Sequence, residues 1–225
     1  TPPCIKTETV HRQLLVFCDA SERVYGAVAY IRAEDGDHNV HVSFIMARSR
    51  VAPKRQLSMP RLELSAALAG AQVADLVQKE LTLPLDDVIL WSDSTTVLTW
   101  LHSESCRYKV FVGTRVAEIQ TLTDVDKWRY VDTKNNPADD LTRGKTLIDL
   151  SQPGRWRDGP SFLWLSPDTW PSYPSPQRED PSEFKKSTFC GVVVIQPHQR
   201  DPSEYDTWDD LVASTIQQLH GAAKD

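Results

Sequence analysis

Long apolar runs are missing from this 225-residue chain: no stretch approaches the length of a membrane span, and the first residues carry no signal-peptide pattern. The chain begins at Thr1 rather than Met, as expected for a piece of a longer polypeptide. Cysteine is scarce. Cys4, Cys18, Cys106 and Cys190 lie far apart with no Cys-x-x-Cys pair, which argues against a zinc site and a disulfide scaffold and fits a reducing, intracellular setting. There is no internal repeat. Positive charge is also in deficit: 25 Lys and Arg stand against 31 Asp and Glu, net −6, so a general polyanion binder is not indicated. The acidity is uneven, with 18 cations against 20 acids over residues 1–150 and 7 against 11 over 151–225. From Arg48 to Arg61 acids are absent, and Arg48, Arg50, Lys54, Arg55 and Arg61 make one basic patch. His11, His38, His41, His102, His198 and His220 fall in no catalytic motif, which argues against a serine hydrolase built on Ser21, Ser94 or Thr95.

What is present is a short apolar run, Leu14-Leu15-Val16-Phe17, that delivers Asp19 at its end. Without polar alternation it suits a strand over 13–19 buried on both faces. Tyr25 to Ala33 predicts a second strand, Glu34 to His38 a hairpin turn, and the alternation of Val40, Val42 and Phe44 with His41 and Ser43 a third, antiparallel strand over 40–47. The basic segment to Lys54 reads as a loop containing Pro53. Pro60 then opens a largely buried helix over 61–81, with Leu62, Ala66, Ala69, Val73 and Leu76 on one stripe and Leu64, Leu68 and Ala71 on another. Glu63 interrupts the apolar pattern in the first turn, where the helix dipole favours a carboxylate.

Val88 to Ser92 is another apolar strand ending in an acid, Asp93, with Ser94 suited to cap a short helix through Leu101. A helix from Phe111 to Leu122 and a last strand from Lys127 to Asp132 follow. Pro137 and Gly144 frame a brief helix that carries Asp139. Beyond Leu150, Trp156, Trp164 and Trp170 lie among prolines in a stiff connection over 151–188 whose aromatics pack back on the domain. A small strand over 189–195 and a helix over 205–220, with Trp208, Leu211, Val212, Ile216 and Leu219 inward, complete the chain.

Taken singly, each acid has a structural explanation as a cap, a turn former or a solvated helix start. Jointly they form a pattern. If strands 13–19 and 88–92 are parallel neighbours, their carboxyl ends share the sheet edge where α/β sheets place their sites. Four carboxylates there need compensating cations, and Mg²⁺ or Mn²⁺ suits all-oxygen ligands.

Cys-Asp-Ala-Ser (18–21), Pro-Arg-Leu-Glu-Leu-Ser-Ala-Ala-Leu (60–68), Leu-Trp-Ser-Asp-Ser (90–94) and Asn-Pro-Ala-Asp-Asp-Leu-Thr-Arg-Gly (136–144), in this order, resemble the ribonuclease H domain of LTR retrotransposon polyproteins, most closely the BEL/Pao group. The resemblance covers roughly residues 12–150. It implies an α/β, ribonuclease H-like mixed five-stranded sheet flanked by helices, with a Pro/Trp-rich C-terminal extension. It also implies a metal-dependent endonuclease that hydrolyses the RNA strand of an RNA:DNA hybrid during reverse transcription. Carried over, the family's metal set falls on Asp19, Glu63, Asp93 and Asp139, with two ions. Asp19 bridges both, Glu63 and Asp93 hold one, and Asp139 holds the other. Asp140 is the weaker choice for the fourth position, since the family's pattern puts the ligand directly after Ala138. Arg48, Arg50, Lys54 and Arg55 become candidates for phosphate contacts, against the plainer reading of a solvated loop. Implied partners are the hybrid and the reverse transcriptase and integrase portions of the same polyprotein, with no membrane, in cytoplasmic retrotransposon particles. One departure stands out: Val131 to Asn136 lacks the His and Gly that many ribonucleases H carry before the last Asp.

On this reading residues 1–11 are a lead, 12–150 the ribonuclease H-like domain, 151–188 the connection and 189–225 a segment leading toward the rest of the polyprotein. Two rivals are weighed against it. An aspartic peptidase finds a superficial signature in Ile89 to Thr95, but lacks the glycine at position 95, and a helix over 61–81 fits an all-β peptidase badly. A non-catalytic connection domain would bind hybrid without cutting it.

Overall fold

The computed structural model describes residues 10–54, 57–171, 181–185, 207, 209–213 and 216. By contact the chain divides into Thr1–Lys185 and Lys186–Asp225.

In the first unit, β1 (His11–Ala20), β2 (Val24–Glu34), β3 (Val40–Val51), β4 (Asp87–Ser92) and β5 (Trp128–Tyr130) form one sheet in the order β3-β2-β1-β4-β5. β1 is central and is buried from Gln13 to Ala20, which is why its apolar run shows no alternation. It pairs antiparallel with β2 and parallel with β4, and β5 continues the parallel side. This is the mixed five-stranded sheet, opened by an antiparallel meander, that the resemblance implies. β3 is longer than its alternation indicated. Arg48 and Arg50 pair with Ala27 and Tyr25, so they sit in a strand and not in the expected loop. Only Lys54, of the described candidates, lies beyond the strand, while Arg55 lies outside the described residues.

Successive side chains of β1 point to opposite faces and feed two cores. On one face Leu14, Val16 and Cys18 meet α1 (Met59–Glu80), α2 (Thr95–Leu101) and α3 (Val110–Leu122). Gly70 permits the close approach of α1 to β1, because a Cβ there would collide with Cys18 Sγ. Most of the predicted apolar stripes of α1 are buried, but Leu76 is 41% exposed.

On the other face Leu15, Phe17, Val28, Tyr30, Ile89 and Trp91 are covered by Phe162, Leu163 and Trp170. Two short helices, α4 (Ala138–Thr142) and α5 (Leu147–Ser151), lead into the stretch expected as a stiff connection, which folds through α6 (Arg155–Asp158) and short 3₁₀ turns onto the sheet. Its aromatics divide: Trp170 is buried and Trp156 partly buried, whereas Trp164 is 42% exposed. Polar contacts fasten the stretch. Tyr30 donates its hydroxyl hydrogen to Trp156 O (2.6 Å), and the buried Arg32 donates through Nε to Leu163 O (2.8 Å).

Residues 181–185 also dock on this unit. Glu183 accepts two bonds from Arg61 (2.8 and 2.9 Å), and Phe184 stacks on Tyr108. In the second unit residues 209–213 are helical. Val212 and Ile216, expected inward, are 39% and 48% exposed. The expected strand over 189–195, with Trp208 and Leu219, lies outside the described residues. Among the described residues no helix is long and apolar enough to cross a membrane.

Candidate active site

The parallel ladder of β1 and β4 ends on the pair Cys18 and Ser92. Asp19 and Asp93 are each the next residue, so the register itself sets them side by side at the carboxyl edge of the sheet. Asp19 is 8% exposed and accepts a short hydrogen bond on Oδ2 from Thr142 Oγ1. Asp93 accepts on Oδ2 from Thr133 Oγ1 (3.1 Å).

Glu63 reaches the same edge from α1. The helix begins at Met59, so Glu63 lies in its second turn and not the first, and the dipole explanation of its position loses force. Ser94 holds it instead: Oγ donates to Glu63 Oε2 (2.6 Å) while accepting from Val97 N (3.2 Å) as the cap of α2.

Asp139 arrives on α4, and buried Asn136 fixes that turn against β1. Its Nδ2 donates to Cys18 O (2.9 Å), and its Oδ1 accepts from Ala138 N (3.1 Å).

Burial is the first cause of the electrostatics here. It pushes Asp19 up to about 7 against the Thr142 hydrogen bond, and the charges of Asp93 and Asp139 push in the same direction. Glu63 is raised by burial, opposed by its bond from Ser94 and reinforced by Asp93. Asp93 is raised by burial, opposed chiefly by Thr133 and reinforced by Asp139. Three part-buried carboxylates thus press on one another with little cationic relief. An all-oxygen donor set carrying such unrelieved charge suits a hard divalent ion.

Asp139 differs from the other three. Its Oδ1 accepts from Arg143 Nε (2.5 Å) and its Oδ2 from Arg155 Nη2 (2.9 Å). Among the described residues no group of three or more His, Cys, Asp or Glu side chains is gathered as a metal-ligand set. Asp140 is deeper, at 1% exposed, and is turned to Arg155 and Lys145. Although burial opposes it, those two cations hold Asp140 below the usual carboxylate range.

Of the basic candidates, Arg48 reaches Gln72 Oε1 (3.5 Å), and Arg50 and Lys54 are exposed. The fifth cation of the patch, Arg61, is taken by Glu183.

The sequence reading passed over the hydroxyl and amide groups that grip the acids. Ser94 was visible only as a cap. Asn136 and Thr142 stand inside the quoted 136–144 motif, which was their signal. Arg155 has none, because it belongs to a stretch without periodicity and is joined to the site only by the fold. Position 95, where a peptidase would need glycine, is the first residue of α2.

Comparison with known families points the same way as the motifs. Residues 4–94 match the Pao retrotransposon-like RNaseH-like domain. The matched span holds Asp19, Glu63 and Asp93, and it bears out the BEL/Pao likeness there. Among solved structures, the N-terminal RNase H domain of a Mycobacterium tuberculosis protein, determined as a fusion with maltose binding protein, is 13% identical. It covers 58% of this chain and 89% of its own, with a TM-score of 0.38. RNase H1 from Halobacterium salinarum is 14% identical, covering 59% and 93%, with a TM-score of 0.35. LC11-RNase H1, solved in complex with RNA/DNA hybrid, is 14% identical, covering 62% and 99%, with a TM-score of 0.39. No curated protein matches the chain.

Proposed function

We propose that this Pao-type ribonuclease H-like domain is a metal-dependent endonuclease that hydrolyses the RNA strand of RNA:DNA hybrids during retrotransposon reverse transcription. The observation that carries the reading is the parallel β1–β4 register, which sets Asp19 beside Asp93 at the carboxyl edge of the sheet. Asp19, Glu63, Asp93 and Asp139 would hold Mg²⁺ or Mn²⁺, two ions in all. Such ions supply activation of the attacking water and stabilisation of the leaving oxygen.

The chain's own residues contribute order to the site. Ser94, Thr133 and Thr142 each donate to one carboxylate and so help to fix its rotamer. Arg48, Arg50, Lys54 and Arg55 would meet the phosphate backbone, whose recognition is electrostatic and weakened by salt. Reverse transcriptase and integrase portions of one polyprotein, within cytoplasmic particles, are the setting that this reading entails.

One observation favours a second reading, a domain that binds hybrid without cutting it: both oxygens of Asp139 are engaged by arginines. The deciding experiment is cleavage of a labelled RNA:DNA hybrid in Mg²⁺ and in Mn²⁺, beside duplex DNA, with Asp93→Asn as control. Metal-dependent loss of the RNA strand, abolished by the substitution, is the expected result. Salt-sensitive hybrid binding without cleavage would replace it with the second reading.

A further inference from the structure

Arg155 comes from α6, beyond the last strand and outside the family match, yet its guanidinium enters the turn that carries Asp139. Nε and Nη2 form a fork on Asp140 (2.9 Å to Oδ2, 2.7 Å to Oδ1). Nη2 also reaches Asp139 Oδ2 (2.9 Å), and Nη1 donates to the backbone oxygens of Thr133 (3.0 Å) and Lys134 (2.5 Å). One side chain therefore joins the 133–134 loop, whose Thr133 holds Asp93, to the first turn of α4, which carries Asp139. Only a planar, five-donor group can span these acceptors at once. Burial gives the arrangement its rigidity: Asp140 is 1% exposed, and the segment that follows Arg155 is held down by Phe162, Leu163 and Trp170 in the second core.

We infer that Arg155 is a positioning residue for the candidate site: its fork on Asp140 and its two backbone bonds set the placement of Asp139 relative to Asp93, so residues 155–170 belong to the site's working structure. The inference rests on the reading of Asp139 as a metal ligand. Charge alone predicts a different role, because a cation beside a ligand repels an incoming metal ion, and removing it would tighten binding. Lysine separates the two, since Arg155→Lys keeps the charge and loses the fork.

The experiment uses the full chain and two readouts. In metal-free buffer, hydrogen exchange over residues 133–142 should be faster in Arg155→Lys than in the wild type, with the circular dichroism spectrum unchanged. Mn²⁺ titration followed by electron paramagnetic resonance should then show affinity lower by about 10- to 100-fold, the usual cost of losing a partner that orients a metal ligand. Asp140→Asn, which keeps the side-chain volume and one acceptor, should show a smaller loss in the same direction, and it carries the test if Arg155→Lys fails to fold. Unchanged exchange with unchanged or tighter Mn²⁺ binding in a folded variant would overturn the inference. A wild type that binds no Mn²⁺ would overturn the nuclease reading instead, and the exchange comparison would still decide what Arg155 does to the turn.

Discussion

Ser94 Oγ lies between Glu63 Oε2, to which it donates at 2.6 Å, and Val97 N, from which it accepts at 3.2 Å. One hydroxyl thus ties α1 to the junction of β4 and α2. Ser94→Ala should remove both bonds. Loss of the cap costs about 1 kcal/mol in urea denaturation. Glu63, without its donor, should be raised further and hold metal less well, so hybrid cleavage should fall by more than the stability loss explains. A variant with the expected stability loss and full cleavage would show that Ser94 serves the helix alone.

Asp19 gives the metal-free protein a definite pH dependence. Its folded value is pushed up to about 7 from an ordinary 3.8. Between those values the folded state holds a proton that the unfolded state has released, so stability falls as pH rises from about 4 to about 7 and then levels off. Glu63 and Asp93, also raised, act in the same direction. Asp19→Asn carries no titrating proton, and its side-chain oxygen can still accept from Thr142. In EDTA it should be more stable than the wild type at about pH 8, and the advantage should shrink toward about pH 5. It should be inactive throughout. Urea denaturation at the two pH values checks this, and a wild-type stability that rises across the window would contradict it.

Gly70 of α1 packs directly against Cys18 of β1. Gly70→Ala places a Cβ against Cys18 Sγ and should destabilise by about 1–3 kcal/mol through overpacking. Cys18→Ala in the same chain makes room, so the double variant should recover part of the loss. A double-mutant cycle in urea measures the coupling, and strict additivity would place the clash elsewhere.

Trp170 tests whether the C-terminal stretch is part of the core. It is 6% exposed, 5.9 Å from the Trp91 ring and 6.1 Å from the Phe162 ring. Arg32 and Arg129 each lie 5.7 Å from its ring centroid. Trp170→Ala should cost about 3–5 kcal/mol. A loss under about 1 kcal/mol would mean that this stretch only rests on the surface.

The strands and main helices were legible because each has its own period and punctuation. β1 lacks alternation since both of its faces are covered, and the turn at 34–38 and Pro60 mark the neighbouring boundaries. The acids were legible for related reasons: Asp19, Glu63 and Asp93 follow or interrupt an apolar run, where a carboxylate is conspicuous, and Asp139 stands in the Pro-Ala-Asp turn of the 136–144 motif. β3 was read short because Arg48-Ser49-Arg50 looks like loop chemistry, although backbone pairing with β2 carries the strand to Val51 regardless of side-chain polarity.

By itself, then, the sequence determined the order of strands and helices as far as α4, the central buried strand and the acids that could form a site. Only the tertiary structure decided what surrounds those acids. Parallel pairing of β1 with β4 joins positions more than seventy residues apart, and no local propensity encodes that register. The same holds for Arg155 on the Asp139–Asp140 turn and for Trp170 on Trp91: each contact exists because the chain returns across the sheet to bury apolar surface, and that burial is a property of the whole fold.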